Sequence, residues 1–278
     1  MGTGKWRVDA LDGGYFSLDG GAIFGVVPKT VWGNLIKPDE KNRIRLANRG
    51  LLARDGGHVI LIDTGHGDKY PPLDRKAYEM DAGNPILDSL ARLGVRAEDV
   101  TTVLYTHLHF DHAGGGTTYD EHRRLIPTFP NARYAASEAE WRDAINPVPE
   151  LVTAYIQKDI LPLVEHGVTR TVADGQELAP GFAVRQTGGH TRGHLIPVIE
   201  TTEGTAALMG DICPTRFHIR AQWAMAYDTF LLTTRKMKSE ILAEAAEGRW
   251  KLFWSHDPQR ESCFIEKDRA KGFRVAAE

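Results

Sequence analysis

Residues 106–115 read THLHFDHAGG and place His107, His109, Asp111 and His112 within six positions, directly ahead of Gly114, Gly115 and Gly116. Three imidazoles and a carboxylate packed on one short loop leave polar groups partly desolvated without compensation, unless a cation organises them. The run just before, TTVLYT, is short and β-branched, so the histidines sit at a strand's carboxyl end, where rigid scaffolds place functional loops. His107 and His109, two apart on extended chain, point the same way. Asp111 and His112 lie on the turn that follows and reach a second point a few ångströms off. The glycines are expected to let the backbone turn sharply into a following helix without side-chain clash.

The same ending recurs along the chain. FAVRQT leads to His190, TAALMG to Asp211 and WKLFWS to His256. Four strands therefore finish at a metal-capable residue, which argues for convergence on one place. Three neutral imidazoles around a cation suit Zn²⁺, and a carboxylate beside them at Asp211 is placed to bridge to a second cation, in a two-metal site about 3.5–4 Å across.

Between these endings the pattern is mixed α/β. LLARDGGHVILIDTG reads as a hairpin around Asp55-Gly56-Gly57. NPILDSLARLGV carries Ile86, Leu87, Leu90 and Leu93 on one helical face, with Asn84 as cap and Gly94 as stop. SEAEWRDAI starts a helix at Ser137, and PELVTAYIQKDILPLVEH has helical spacing through Leu151, Tyr155 and Ile156 with a kink at Pro162. A last helix, TTRKMKSEILAEAAEG, precedes WKLFWS. No linker or internal repeat interrupts this order, so residues 1–278 are expected to form one layered α/β domain.

Composition narrows the function classes. With 42% hydrophobic and 26% charged residues the chain has the profile of a soluble globular protein. A net charge of −3 and the lack of any block of like charges disfavour nucleic acid as a partner. Cys213 and Cys263 are too few for a disulfide scaffold and read as buried reduced thiols. The N-terminus has no apolar core of a signal peptide, position 6 is Trp where a myristoylation motif needs Ser or Thr, and no run approaches 18 apolar residues. A cytoplasmic protein with no membrane partner is expected, and a homodimer is left open.

THLHFDHAGG, then GGHTRGH (188–194), GD (210–211) and SHDP (255–258) together resemble the ordered motif set of the metallo-β-lactamase superfamily. GAIFGVVPKTVW, ILIDTG, and GDICPTRFH followed by QWAMAYD resemble its quorum-quenching N-acyl-homoserine lactonase branch, which includes methyl-parathion-hydrolase-like proteins. The resemblance implies a four-layer αββα sandwich with a dinuclear metal site at one edge of the two sheets. It implies that His107, His109 and His190 hold one divalent ion, that Asp111, His112 and His256 hold the other, and that Asp211 bridges them. Zn²⁺ is the first expectation, with Mn²⁺, Fe²⁺ and Co²⁺ also accepted by such donors.

The chemistry so implied is hydrolysis of a small lactone or ester, with a hydroxide shared by the two ions opening the ring of an N-acyl homoserine lactone or a related lactone. Asp111 would donate the proton to the leaving group. The branch's active-site tyrosine, three residues after the bridging aspartate, is replaced here by Pro214, and Tyr227 is the nearest candidate for its role. Asp63 is expected to accept from a ligand imidazole. His194 reads as structural and Cys213 as no ligand because Asp211 already fills the bridge; His58, His66, His122, His166 and His218 read as structural by default, with His218 first among them as a pocket candidate. Phe24, Val26, Val27, Trp32, Phe110 and Trp223 flank the motifs and either line the pocket, which favours an acyl or aryl group over a charged peptide, or fill the core. An organophosphate triesterase or arylesterase, a glyoxalase-II-like thioesterase and a β-lactamase share the same metal centre. A binding protein with a structural metal site is disfavoured by the complete ligand set, and a nuclease by the lack of a basic patch.

Overall fold

The computed structural model of the chain describes residues 5–277, so Gly2, where a myristoylation reading falls, lies outside the described residues. Strand β1 (Arg7–Asp19) runs antiparallel to β2 (Arg43–Arg54), with helices α1 (Gly20–Phe24) and α2 (Lys29–Trp32) between them. The expected hairpin follows: β2 pairs with β3 (Val59–Ile62) from Arg54 opposite Val59, and the Asp55 carboxylate closes the turn by accepting the Gly57 and His58 N–H groups. After α3 (Pro72–Tyr78) and α4 (Pro85–Arg92), β4 (Thr102–Leu104) adds in parallel to β3. α5 (Phe110–Ala113) and a small hairpin, β5 (Thr117–Tyr119) with β6 (Leu125–Pro127), lead to β7 (Arg133–Ser137). α6 (Glu138–Ile145) and α7 (Gln157–Glu165) precede β8 (Thr169–Val172), which completes a sheet ordered β1-β2-β3-β4-β7-β8.

The rest of the chain builds a second sheet. β9 (Glu177–Ala179), β10 (Phe182–Gln186), β11 (Leu195–Thr201) and β12 (Gly204–Leu208) form a meander. α8 (Leu231–Glu247) crosses over to β13 (Lys251–Phe253), parallel to β12, and β14 (Ser262–Cys263) forms the edge. A hairpin of β15 (Ile265–Asp268) and β16 (Gly272–Val275) ends the fold. Among the described residues no helix is long and apolar enough to cross a membrane.

Side-chain alternation decides the layering. Leu52, Leu61 and Val103 point to one face of the first sheet and pack on Leu90, Trp141, Ile160 and Leu163 of the helices. Their neighbours Leu51, Ala53, Ile60, Ile62 and Leu104 point to the other face, against Phe182, Val184, Leu195, Ile199 and Leu208 of the second sheet. That sheet's outer face, through Ile196, Ala207 and Leu252, packs on Ile241, Leu242 and Ala245 of α8. The result is the expected αββα sandwich. Strands buried on both faces read as continuous apolar runs, as VILI of β3 does.

Two expectations need correction. The helix expected from Pro149 begins only at Gln157, because Tyr155 turns inward to a buried hydrogen bond and Ile156 is extended. Pro162 then sits inside α7, and the Lys158 carbonyl it leaves without a helical donor accepts the Thr117 hydroxyl at 3.1 Å. The glycines after His112 lead into a single 3₁₀ turn and β5 instead of a helix. Their role is close approach: the Thr64 N–H and hydroxyl donate to the His112 carbonyl at 2.7 and 2.9 Å, and a Cβ on Gly115 would lie 2.1 Å from the Thr64 carbonyl oxygen. Gly115→Ala is therefore expected to destabilise the protein by about 1–3 kcal/mol, the usual range for overpacking. A drop in the urea midpoint at constant slope checks this, and an unchanged midpoint contradicts it.

Candidate metal centre

The loops that follow β4, β10, β12 and β13 meet at one end of the two sheets. There, one ring nitrogen from each of His107, His109 and His190 lies within 4.8 Å of the others, and Asp111, His112 and His256 form a second such group. Asp211 stands between them. Its Oδ2 is 3.4 Å from His190 Nε2 and 4.0 Å from His107 Nε2, while its Oδ1 is 2.9 Å from His256 Nε2 and 3.4 Å from His112 Nε2. Each carboxylate oxygen faces a different histidine group, which is the geometry a bridging ligand needs. Asp111 Oδ2 lies 3.5 Å from His256 Nε2 and 3.7 Å from His112 Nε2. All the expected ligands are thus brought together.

The rings are held from behind. Nδ1 of His112 donates to Asp63 at 2.8 Å, Nδ1 of His190 to Asp228 at 2.8 Å and Nδ1 of His256 to the Ala47 carbonyl at 2.9 Å. Carboxylates and carbonyls only accept, so in each neutral ring the proton is on Nδ1 and Nε2 presents a bare lone pair. His112 Nε2 and His256 Nε2 then face each other at 3.2 Å, and His190 Nε2 faces His109 Nδ1 at 3.0 Å. His107 Nε2 is buried with no hydrogen-bond partner among the described residues. The lone pairs of His112 and His256 repel at 3.2 Å, and a shared cation reverses the sign.

Charge points the same way. Asp63, Asp111, Asp211, Asp228 and Glu140 are all buried around the cluster, and among the described residues no lysine or arginine forms an ion pair with any of them. Outside the ligand cluster, buried Asp159 pairs with Lys69 at 3.1 Å and buried Asp257 with Arg216 at 2.5 Å. Burial would raise the Asp211 carboxyl, yet His256, His112 and His190 hold it well below the usual range. Burial likewise opposes protonation of His112, His190 and His256, but the adjoining carboxylates raise all three. His107 and His109 are pushed well below 6.5, first by burial and then by neighbouring imidazoles, so they stay neutral and ready to donate lone pairs. This donor set fits divalent transition metals.

Other sequence expectations divide. Asp63 accepts from His112 as expected, and also from the Thr106 N–H and hydroxyl, each at 2.8 Å. His194 is buried, bonded to Thr187 at 2.7 Å, and its Nε2 accepts the Asp211 N–H at 3.0 Å, which orients the bridge. Cys213 is buried with its thiol pushed up to about 12 by burial, and it joins no ligand group. Tyr227 is exposed, its ring edge-on to His190 at a centroid distance of 5.9 Å.

The pocket-lining set is corrected. Phe24, Val27 and Trp32 belong to a buried core, with Phe24 stacked between Trp32 and His218. His218 is fully buried and bonds the Ile23 carbonyl at 3.1 Å, so it lines nothing. Val26 is exposed, whereas Phe110 and Trp223 are half-buried. Phe110 keeps the expected place and is joined by two residues not read from the sequence, Tyr70 and Tyr78, at ring distances of 5.8 and 5.9 Å, while the buried Phe16 backs it, edge-on to Phe110 at 6.1 Å and to His256 at 5.5 Å. Asp228 and Glu140 were also missed. Asp228 lies in the AMAYD stretch, but nothing in the sequence pairs it with His190, 38 residues away.

A family profile described as Metallo-beta-lactamase superfamily matches residues 46–256. An N-acyl homoserine lactonase from Bacillus cereus is 27% identical over 187 residues, which cover 66% of this chain and 66% of that protein. The chain thus matches just under two thirds of that relative's length. A probable metal-dependent hydrolase from Staphylococcus aureus superposes with a TM-score of 0.89 at 27% identity, over 100% of this chain and 99% of its own. A dizinc quorum-quenching lactonase, solved with its product N-hexanoyl-L-homoserine, gives 0.80 at 22% identity, over 98% and 94% of the two chains.

A cation that binds only the native state stabilises it by mass action. Chelator-treated protein is therefore expected to melt several degrees below protein supplied with Zn²⁺. Equal melting temperatures, measured by calorimetry, would contradict the donor reading.

Proposed function

Because the chain belongs to the metallo-beta-lactamase superfamily, we propose that it opens the lactone ring of N-acyl homoserine lactones or related lactones, with two divalent ions in the cluster, Zn²⁺ first among them. Seven donors are more than one tetrahedral ion uses. His107, His109 and His190 would hold one ion and Asp111, His112 and His256 the other, with Asp211 shared. Ions bound there would supply Lewis acidity toward the ester carbonyl and lower the pKa of water.

The chain's own residues do the rest. Asp211 keeps the two histidine groups in register, fixed in turn by His194 at its backbone N–H. Asp111, on the first turn of α5, offers Oδ2 as the site that takes the proton released by the attacking water and passes it to the departing alkoxide oxygen. Tyr227, beside His190, offers its hydroxyl to the substrate's carbonyl or amide. The observation that carries the substrate class is the wall of partly exposed aromatic residues Phe110, Tyr70 and Tyr78 next to Asp111, backed by the buried Phe16. Such a wall favours an apolar acyl chain over a charged peptide thioester.

Each methylene buried on that wall is worth about 0.8 kcal/mol. With the metal-supplied protein, kcat/KM is expected to rise along the series from butanoyl to octanoyl homoserine lactone, and to exceed that for a glutathione thioester, a cephalosporin and an aryl phosphotriester. A flat chain-length profile with faster turnover of the phosphotriester would move the reading to an organophosphate triesterase. Asp211→Ala is expected to lower turnover by more than about 100-fold, the upper range for a change at a metal's supporting groups. Tyr227→Phe should raise KM with a smaller effect on kcat. Activity of Asp211→Ala within tenfold of the parent, with metal content intact, would remove the bridge from the mechanism.

A further inference from the structure

Glu140 lies on the first turn of α6 and is fully buried. Its Oε1 accepts the Leu108 N–H at 2.9 Å and the Tyr155 hydroxyl at 3.1 Å, and its Oε2 accepts the Thr191 hydroxyl at 2.6 Å. Leu108 stands between His107 and His109, and Thr191 follows His190. The Tyr155 ring lies 5.1 Å from that of His109. One carboxylate therefore ties together the two loops that carry the first histidine group. The helix end is pressed onto the second loop: Ser137 donates to the Gly193 carbonyl at 2.8 Å, and a Cβ on Gly193 would lie 2.3 Å from the Glu140 backbone nitrogen.

Tethering alone does not require a charge. An amide with its oxygen at the Oε1 position would still accept from Leu108 and Tyr155, and the Thr191 hydroxyl can rotate to accept from the amide nitrogen. Yet the group is a carboxylate, with no lysine or arginine among the described residues paired to it, and burial pushes its carboxyl up. An isolated buried anion is unfavourable, so its presence calls for a positive partner within the low-dielectric interior. Its three donors lead to the first histidine group: the Tyr155 ring lies against His109, Leu108 is flanked by His107 and His109, and Thr191 follows His190.

We propose that Glu140 is a positioning residue whose negative charge is balanced by a divalent cation held by His107, His109 and His190. The inference rests on the metal-centre reading above. Glu140 sets the spacing of the two loops, and its charge strengthens cation binding at this half of the cluster over the Asp111, His112 and His256 half.

Glu140→Gln keeps shape and acceptor but removes the charge. Metal-free parent and variant are titrated with Co²⁺, followed by visible absorption and calorimetry, and both forms are melted with and without the metal. The variant is expected to bind its first Co²⁺ at least about tenfold more weakly. Its metal-free form should melt at or above the metal-free parent, because an uncompensated buried charge is gone. A purely structural tether predicts the opposite melting order and unchanged affinity, and that result overturns the proposal. A parent that takes up no Co²⁺ overturns the metal-centre reading along with it. Should Glu140→Gln not fold, Tyr155→Phe removes one donor while keeping the charge. Its melting temperature should then rise more on Co²⁺ loading than the parent's does, and an equal rise overturns the proposal.

Discussion

Five buried carboxylates and six buried or half-buried imidazoles, those of the five ligand histidines and of His194, share one end of this sandwich, and among the described residues no lysine or arginine forms an ion pair with any of these acids. In a low-dielectric interior that arrangement is unfavourable by itself, and lone pairs on facing ring nitrogens add to the repulsion. Divalent cations resolve both conflicts at once. The contrast with Asp159 and Asp257, each paired with a cationic side chain outside the ligand cluster, shows that this chain supplies side-chain cations to buried acids elsewhere.

The fold exists, in functional terms, to hold this conflict in place. Ligands come from the ends of β4, β10, β12 and β13, so both sheets contribute. Their supports come from still other places: Ala47 from β2, Asp63 after β3, Glu140 from α6, and Asp228 just before α8. Lys69 reinforces the loop after His112 by donating to the Gly114 and Thr117 carbonyls while paired with Asp159. Nearly every layer is thus connected to the metal-capable residues, and cation binding and global stability are linked by the same contacts.

The ligands and most elements were legible because their signals are local. Four strand-to-histidine or strand-to-aspartate endings, the Asp55-Gly56-Gly57 turn and the Asn84-to-Gly94 helix need no information beyond a dozen residues. What failed depends on distant partners. β1 has no clean alternation because a bulge between Asp12 and Tyr15, at Gly13-Gly14, resets its register. The Leu151 to Ile156 spacing looked helical, but the Tyr155 hydrogen bond to Glu140 outweighs helix propensity there. Phe24 and Trp32 look the same in sequence whether they line a pocket or fill a core, and here they stack on each other inside. Glu140 and Asp228 carry no spacing signal at all, because their partners are separated from them by tens of residues.

The most direct test is anomalous diffraction at the zinc absorption edge from crystals of protein supplied with Zn²⁺. The account predicts two peaks on either side of the Asp211 carboxylate, one surrounded by His107, His109 and His190 and the other by Asp111, His112 and His256. A single peak, or peaks away from Asp211, would contradict it.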